Sequence, residues 1–139
     1  MILNEVTFRK SKSKDSPYIT QLLKDLDFYK PGLDYSLFWI AEADKKIVGI
    51  LELEEYANFK FLSYVGVQPT WRKKGIAKSL IKYVANSCDK PVYLYTVIPE
   101  FYLKLGFRVI PPIADLPAKD PMECSQCEPN KCVCMVVEP

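Results

Sequence analysis

The sequence predicts one domain of the α/β (α+β) class, and three observations carry that prediction. The chain has 139 residues, 49% of them hydrophobic, which is enough for one sizeable core and too few for two ordinary domains. Apolar residues recur at helical spacing in two segments, near 17–28 and 74–87. Between and after these lie β-rich runs separated by Pro, Gly and Asn breaks.

Ser16 is placed to cap a helix with Pro17 at its first position, and Ile19, Leu22, Leu23 and Leu26 then share one face. This predicts a helix over about 17–28, broken by Lys30-Pro31-Gly32. Leu37 to Glu42 and Ile47 to Tyr56, parted by the polar Asp44-Lys45-Lys46, predict an antiparallel hairpin. After Ala57-Asn58, Phe59 to Val67 adds the third strand of a meander. The period then changes. Ala77, Leu80, Ile81 and Val84 fall at i, i+3, i+4 and i+7 with lysines opposite, predicting a helix over about 74–87. Pro91 opens the strand Val92 to Val97, Pro99 to Leu105 reads as a short helix stopped by Gly106, and Phe107 to Ile110 resumes as a strand. Residues 111–139 read as a Pro- and Cys-rich extension of the same domain, a loop over Pro111 to Pro121 followed by an edge strand over Cys132 to Val137.

Lys and Arg total 19 against 17 acids, so the net +2 gives no reason to expect a nucleic-acid partner. Met1 to Val6 lacks a basic stretch followed by a long apolar run, and no segment approaches a membrane span, so a soluble cytoplasmic chain without a membrane partner is expected. The chain contains no histidine, which removes the commonest catalytic base, the Ser/His and Cys/His nucleophile pairs and every His-containing metal site. Any chemistry must use carboxylates, tyrosine, cysteine, amines, backbone or water.

Val65-Gly66-Val67-Gln68-Pro69-Thr70-Trp71-Arg72-Lys73-Lys74-Gly75-Ile76-Ala77 reads as a strand, a tight turn and a glycine-containing loop that opens a helix. A helix start presents about four free N–H donors and roughly half a positive charge, so a pyrophosphate can sit on it without a side-chain ligand. Gly75 keeps that backbone open to approach, and Lys73, Lys74 and Lys78 add positive field. Neither a Walker A loop nor a Gly-x-Gly-x-x-Gly fingerprint is present. The competing reading is a surface turn with solvated lysines leading into an ordinary helix.

Arg72-x-x-Gly75-x-Ala77 resembles the acetyl-CoA-binding motif of the GNAT-type N-acetyltransferases, Arg/Gln-x-x-Gly-x-Gly/Ala. Phe101-Tyr102-Leu103-Lys104-Leu105-Gly106-Phe107 resembles the second hallmark of that family, Phe-Tyr-x-Lys-x-Gly-Phe. The resemblance implies the GNAT acyl-CoA N-acyltransferase fold, a mixed, mostly antiparallel sheet of about six or seven strands flanked by helices. It also implies acetyl-CoA as co-substrate and a small-molecule or peptide amine as acceptor, in a monomer or homodimer. By the same resemblance, the backbone of Val65, Gly66 and Val67 pairs with the pantetheine arm. The loop of Arg72, Lys73, Lys74, Gly75, Ile76 and Ala77 takes the pyrophosphate. The strands Phe59 to Val67 and Val92 to Val97 splay apart, often beside a bulge, freeing a backbone donor for the thioester carbonyl. Tyr102 is the acid near the leaving sulfur, unless it is a core aromatic beside Phe101 and Phe107. The sequence departs from the family's Asn-x-x-Ala-x-x-Phe-Tyr at two places, Tyr95 for Asn and Ile98 for Ala.

An amine acceptor with a pKa near 10 must lose a proton before it attacks. Glu52, Glu54 and Glu55 are candidate bases, with Glu52 and Glu54 on one strand face, and a solvated role is the alternative for each. The tail Cys124-x-x-Cys127-x-x-x-x-Cys132-x-Cys134 has enough thiols for a metal site, but its spacing lacks the second two-residue gap of a zinc ribbon. Packed thiols are expected, with a metal site and disulfide or redox use as the two alternatives. Two rival functions stand beside acetyl transfer: a catalytically silent CoA- or protein-binding module, and a metal or redox protein acting through the cysteine tail.

Overall fold

The computed structural model describes residues 5–111, 113, 116–117 and 132–139. Among them the chain runs β1 Thr7–Lys10, α1 Ser16–Asp25, β2 Phe38–Ala43, β3 Lys46–Glu55, β4 Lys60–Val67, α2 Ile76–Asn86, β5 Val92–Thr96, α3 Pro99–Leu103, β6 Arg108–Ile110 and β7 Val133–Val137. The strands form a seven-stranded sheet in the order β1-β2-β3-β4-β5-β7-β6, mixed and mostly antiparallel. This is the expected α/β (α+β) architecture. Contacts group the chain into two compact units, Met1–Glu54 with Leu62–Ser87 and Glu55–Phe61 with Cys88–Pro139.

In the first unit, β2 and β3 form the expected hairpin, closed between Ala43 and Lys46 by Asp44 and Lys45, both at positive φ. Two left-handed residues match the right-handed twist of the flanking strands, which is why so short a turn works. Ile19, Leu22 and Leu23 of α1 pack on Phe38, Ile40, Ile47 and Ile50 of this hairpin. Each aliphatic side chain so buried contributes about 1.5–3 kcal/mol before entropic costs.

The start of α1 differs from expectation. Asp15 holds the capping position, not Ser16, and its carboxylate is taken by Arg9 at 2.8 Å and the Lys12 amide at 2.7 Å. Arg9 comes from β1, a strand that the sequence reading missed. Four residues with two charges show no apolar period, and β1 exists because β2 offers it a ladder, from Thr7↔Glu42 to Lys10↔Trp39.

In the second unit, β7 pairs with β5 from Val92↔Val137 to Thr96↔Val133 and with β6 on its other side. The expectation of an edge strand over Cys132 to Val137 is thus corrected: β7 is interior, and β6 is at the edge. Cys134, Met135 and Val136 are buried in succession, the signature of a strand covered on both faces. Cys134 lies in an apolar cluster with Phe59, Phe61 and Leu116, ringed by Tyr93 and Tyr95. Cys124 and Cys127 lie outside the described residues. Among the described residues, no helix is long and apolar enough to cross a membrane.

Candidate active site

The loop after β4 is built from its anchors outward. The Gln68 amide donates to the Val48 carbonyl at 2.8 Å and its side chain to the Ile47 carbonyl at 3.1 Å, pinning the strand exit to β3. One 3-10 turn, Pro69–Trp71, follows. The chain then passes through Lys73 at φ 64 and Gly75 at φ 76 before α2 begins. Arg72, Lys73, Lys74 and Gly75 are exposed. Ile76 is 2% exposed and anchors the helix start: a Cβ on Gly49 would lie 3.2 Å from its Cγ2.

The first α2 bond runs from the Ser79 amide to the Gly75 carbonyl at 3.0 Å, and no side chain caps the helix. The amides of Ile76, Ala77 and Lys78 therefore have no helix carbonyl to meet, and they open at an exposed, lysine-flanked helix start. That arrangement suits a phosphate group. Gly75 has a second requirement that the sequence did not reveal, because at φ 76 any Cβ is strained whether or not a ligand approaches.

Val65 and Gly66 are half-buried on β4, and Val67 is buried at its end. A Cβ on Gly66 would run into Cδ1 of Leu26 and lie 3.4 Å from Phe28, so glycine lets the end of α1 cover this strand. Tyr64 has φ 54, unusual for a bulky residue and costing about 1–2 kcal/mol. Such a left-handed residue inside a strand is how a bulge re-aims its neighbours. Registered pairing of β4 with β5 covers Lys60↔Val92 and Phe61↔Tyr93. Sequence reasoning missed Tyr64; the broken alternation of Ser63-Tyr64-Val65-Gly66 was the available signal.

Glu52 is 5% exposed and accepts a hydrogen bond from the Ser63 hydroxyl at 2.9 Å. The solvated alternative is therefore wrong for Glu52. Glu54 is half-buried on the same strand. These glutamates and residues 65–77 belong to the first unit, and Tyr102 to the second. The Tyr102 ring is 8% exposed and packs edge-on against Phe101 at 5.0 Å and Phe107 at 5.6 Å. Burial pushes its phenol up to about 12, so it holds its proton through the physiological range. Tyr95, at the family's Asn position, donates its hydroxyl to the Pro117 carbonyl at 2.6 Å. Among the described residues, no three acidic or cysteine side chains gather to hold a metal ion.

Residues 34–109, more than half of the chain, match the family described as acetyltransferase (GNAT) domain. Arabidopsis thaliana Naa50, in complex with the bisubstrate analogue CoA-Ac-MVNAL, is 19% identical with a TM-score of 0.71, covering 97% of this chain and 99% of that one. Rv2747 from Mycobacterium tuberculosis, in complex with CoA and NLQ, is 20% identical with a TM-score of 0.70, covering 96% and 99%. N-acetylglutamate synthase from Neisseria gonorrhoeae, complexed with CoA and N-acetyl-glutamate, is 18% identical with a TM-score of 0.71, covering 94% and 34%. At these identities the likeness is one of fold. The cysteine-rich protein 2-binding protein of Homo sapiens is 27% identical over 117 residues, and the match takes in 73% of this chain and 15% of that protein's length.

Proposed function

Because this chain belongs to the acetyltransferase (GNAT) family, we propose that it is an acetyl-CoA-dependent N-acetyltransferase that moves an acetyl group to a primary amine by direct attack through a tetrahedral intermediate. The observation that carries this reading is the uncapped, exposed start of α2 behind Lys73 and Gly75, both left-handed. In it, the amides of Ile76 and Ala77, with Arg72, Lys73, Lys74 and Gly75 around them, hold the pyrophosphate. The backbone of Val65, Gly66 and Val67 takes the pantetheine arm as an added strand. The whole chain, 1–139, works as one N-acetyltransferase domain.

The amine nitrogen forms its bond to the thioester carbon, charge collects on the carbonyl oxygen, and the C–S bond then breaks. A backbone donor of β4 beside the left-handed Tyr64 stabilises that oxyanion. Tyr102 is assigned to the leaving sulfur from its place in the second motif. With a phenol near 12 against a thiol near 8.5, full proton transfer is uphill, so Tyr102 acts chiefly by donating a hydrogen bond to the thiolate. Glu52 or Glu54 accepts the ammonium proton.

The acceptor is a small-molecule or peptide amine, a reading supported by the likeness in fold to structures that hold an acetylated amino acid, N-acetyl-glutamate, or the bisubstrate analogue CoA-Ac-MVNAL. Acetyl-CoA-dependent thiol release over a panel of amino acids, polyamines and peptides tests the reading. Turnover of at least one amine, with the acetylated product found by mass, supports it. Tight CoA binding with no turnover would point instead to a silent CoA-binding module.

A further inference from the structure

We propose that Ser63 passes the proton of the acceptor ammonium to Glu52, which makes the buried carboxylate a proton sink that never touches the substrate. The proposal rests on the acetyltransferase reading above. Three described polar or charged side chains are buried: Asp15, Glu52 and Thr96. Asp15 is accounted for by its ion pair with Arg9, and Thr96 by the Ile98 amide that its hydroxyl accepts at 3.0 Å. Glu52 accepts a hydrogen bond from a hydroxyl on the next strand, Ser63, at 2.9 Å. A buried carboxylate is costly, and a glutamine or a leucine would fill the same space more cheaply.

Register and backbone place this pair. Glu52 sits directly opposite Phe38, so the two share a face of the sheet, and Phe38 packs in the α1 core. Tyr64 packs on the same side, with its ring 6.3 Å from Phe38 and 6.4 Å from Phe28. In a regular strand Ser63 and Tyr64 would point to opposite faces. With Tyr64 at φ 54, both reach the α1 side. Ser63 is half-buried where Glu52 is buried, so Ser63 is the more exposed member of the pair, and the proposal gives it the contact with the acceptor. Other ionisable groups on this side are Glu54 two residues along β3, Tyr35 beside Phe38, and Lys30 over the Tyr64 ring at 5.9 Å.

The step balances. The ammonium N–H proton goes to Ser63 Oγ as the Ser63 proton goes to Glu52 Oε1, leaving a neutral carboxyl and a neutral amine whose lone pair forms the C–N bond. The Ser63 hydrogen bond also favours the charged carboxylate over the neutral acid.

The test compares wild type with Ser63→Ala, Ser63→Thr and Glu52→Gln, using acetyl-CoA and the fastest acceptor of the amine panel. Ser63→Ala is expected to lower kcat about 10- to 100-fold, to leave KM for acetyl-CoA unchanged, and to move the acidic limb of kcat/KM upward by about one pH unit. Ser63→Thr should restore most of the rate, and Glu52→Gln should abolish the acidic limb. Wild-type rate and limb in Ser63→Ala would overturn the proposal and leave the acetyltransferase reading intact. So would a rate loss with a lowered Tm and an unmoved limb, which marks a structural role. A wild type that turns over no amine would overturn both.

Discussion

Arg72 reaches back across the loop that it opens, its Nε donating to the carbonyl of Val67 at 3.3 Å. The guanidinium thus fastens the loop to the end of β4 and need not contact a phosphate to matter. A carbonyl oxygen has two lone pairs, so Val67 can still accept from a bound pantetheine amide. Arg72→Ala should weaken CoA binding about five- to ten-fold, the worth of one such bond. Arg72→Lys should not restore it, because an ammonium cannot reproduce the Nε geometry. Calorimetric titration of CoA checks both, and wild-type affinity in Arg72→Ala would remove the clip from the site.

Tyr102 links stability to alkaline pH. Its folded value of about 12 lies above an unfolded value near 10, so the native state keeps a proton that the unfolded state has lost. The stabilisation is fully present below pH 10 and is lost as pH rises towards 12, a decline of about 2–3 kcal/mol. Urea denaturation at pH 8 and pH 11 should show about half of that decline, about 1.4 kcal/mol, in wild type and less of it in Tyr102→Phe. The same variant should lose one to three decades of kcat with CoA affinity nearly unchanged. An unaltered kcat would return Tyr102 to the role of a core aromatic between Phe101 and Phe107.

Arg9 and Asp15 govern the acid side. The Arg9 hydrogen bonds hold the Asp15 carboxyl below its usual range, with the Lys12 amide adding to the effect. This contribution is present above the unfolded carboxylate pKa near 3.9 and is lost as pH falls below it. Arg9→Ala strands a buried carboxylate and should cost about 3 kcal/mol at pH 7 by urea denaturation. A loss under 1 kcal/mol would mean that Lys12 and solvent satisfy Asp15 without Arg9.

Much of the fold could be read in the sequence, because its elements carry strong periods: Ile19-Leu22-Leu23 and Leu80-Ile81-Val84 marked two helices, and the Asp44-Lys45 turn marked a hairpin. What escaped was set by neighbours. Thr7–Lys10 is a strand through its pairing with β2, and β7 is interior because β6 adds outside it. In the site, the loop and its glycine were visible as a motif, whereas the left-handed backbone of Tyr64 left only a broken alternation and the burial of Glu52 left no mark. Both depend on what packs across the sheet, and a period-two reading treats Glu52 and Glu54 alike.

Gly75 offers the sharpest test, with a variant chosen for its backbone. Valine at φ 76 is strained before any ligand arrives, so Gly75→Val would confuse lost stability with lost affinity. Aspartate tolerates this conformation better, is favoured at a helix N-cap, and sets a negative charge where the pyrophosphate must come. The decisive measurement is calorimetric titration of CoA, and of pantetheine lacking the pyrophosphate, into wild type and folded Gly75→Asp. The expected result is a loss of CoA affinity of about 100-fold or more with pantetheine affinity unchanged, equivalent to two charge-assisted hydrogen bonds. Equal CoA affinity in the two proteins would contradict the assignment of the loop from Arg72 to Ala77, and with it acetyl transfer from acetyl-CoA held there.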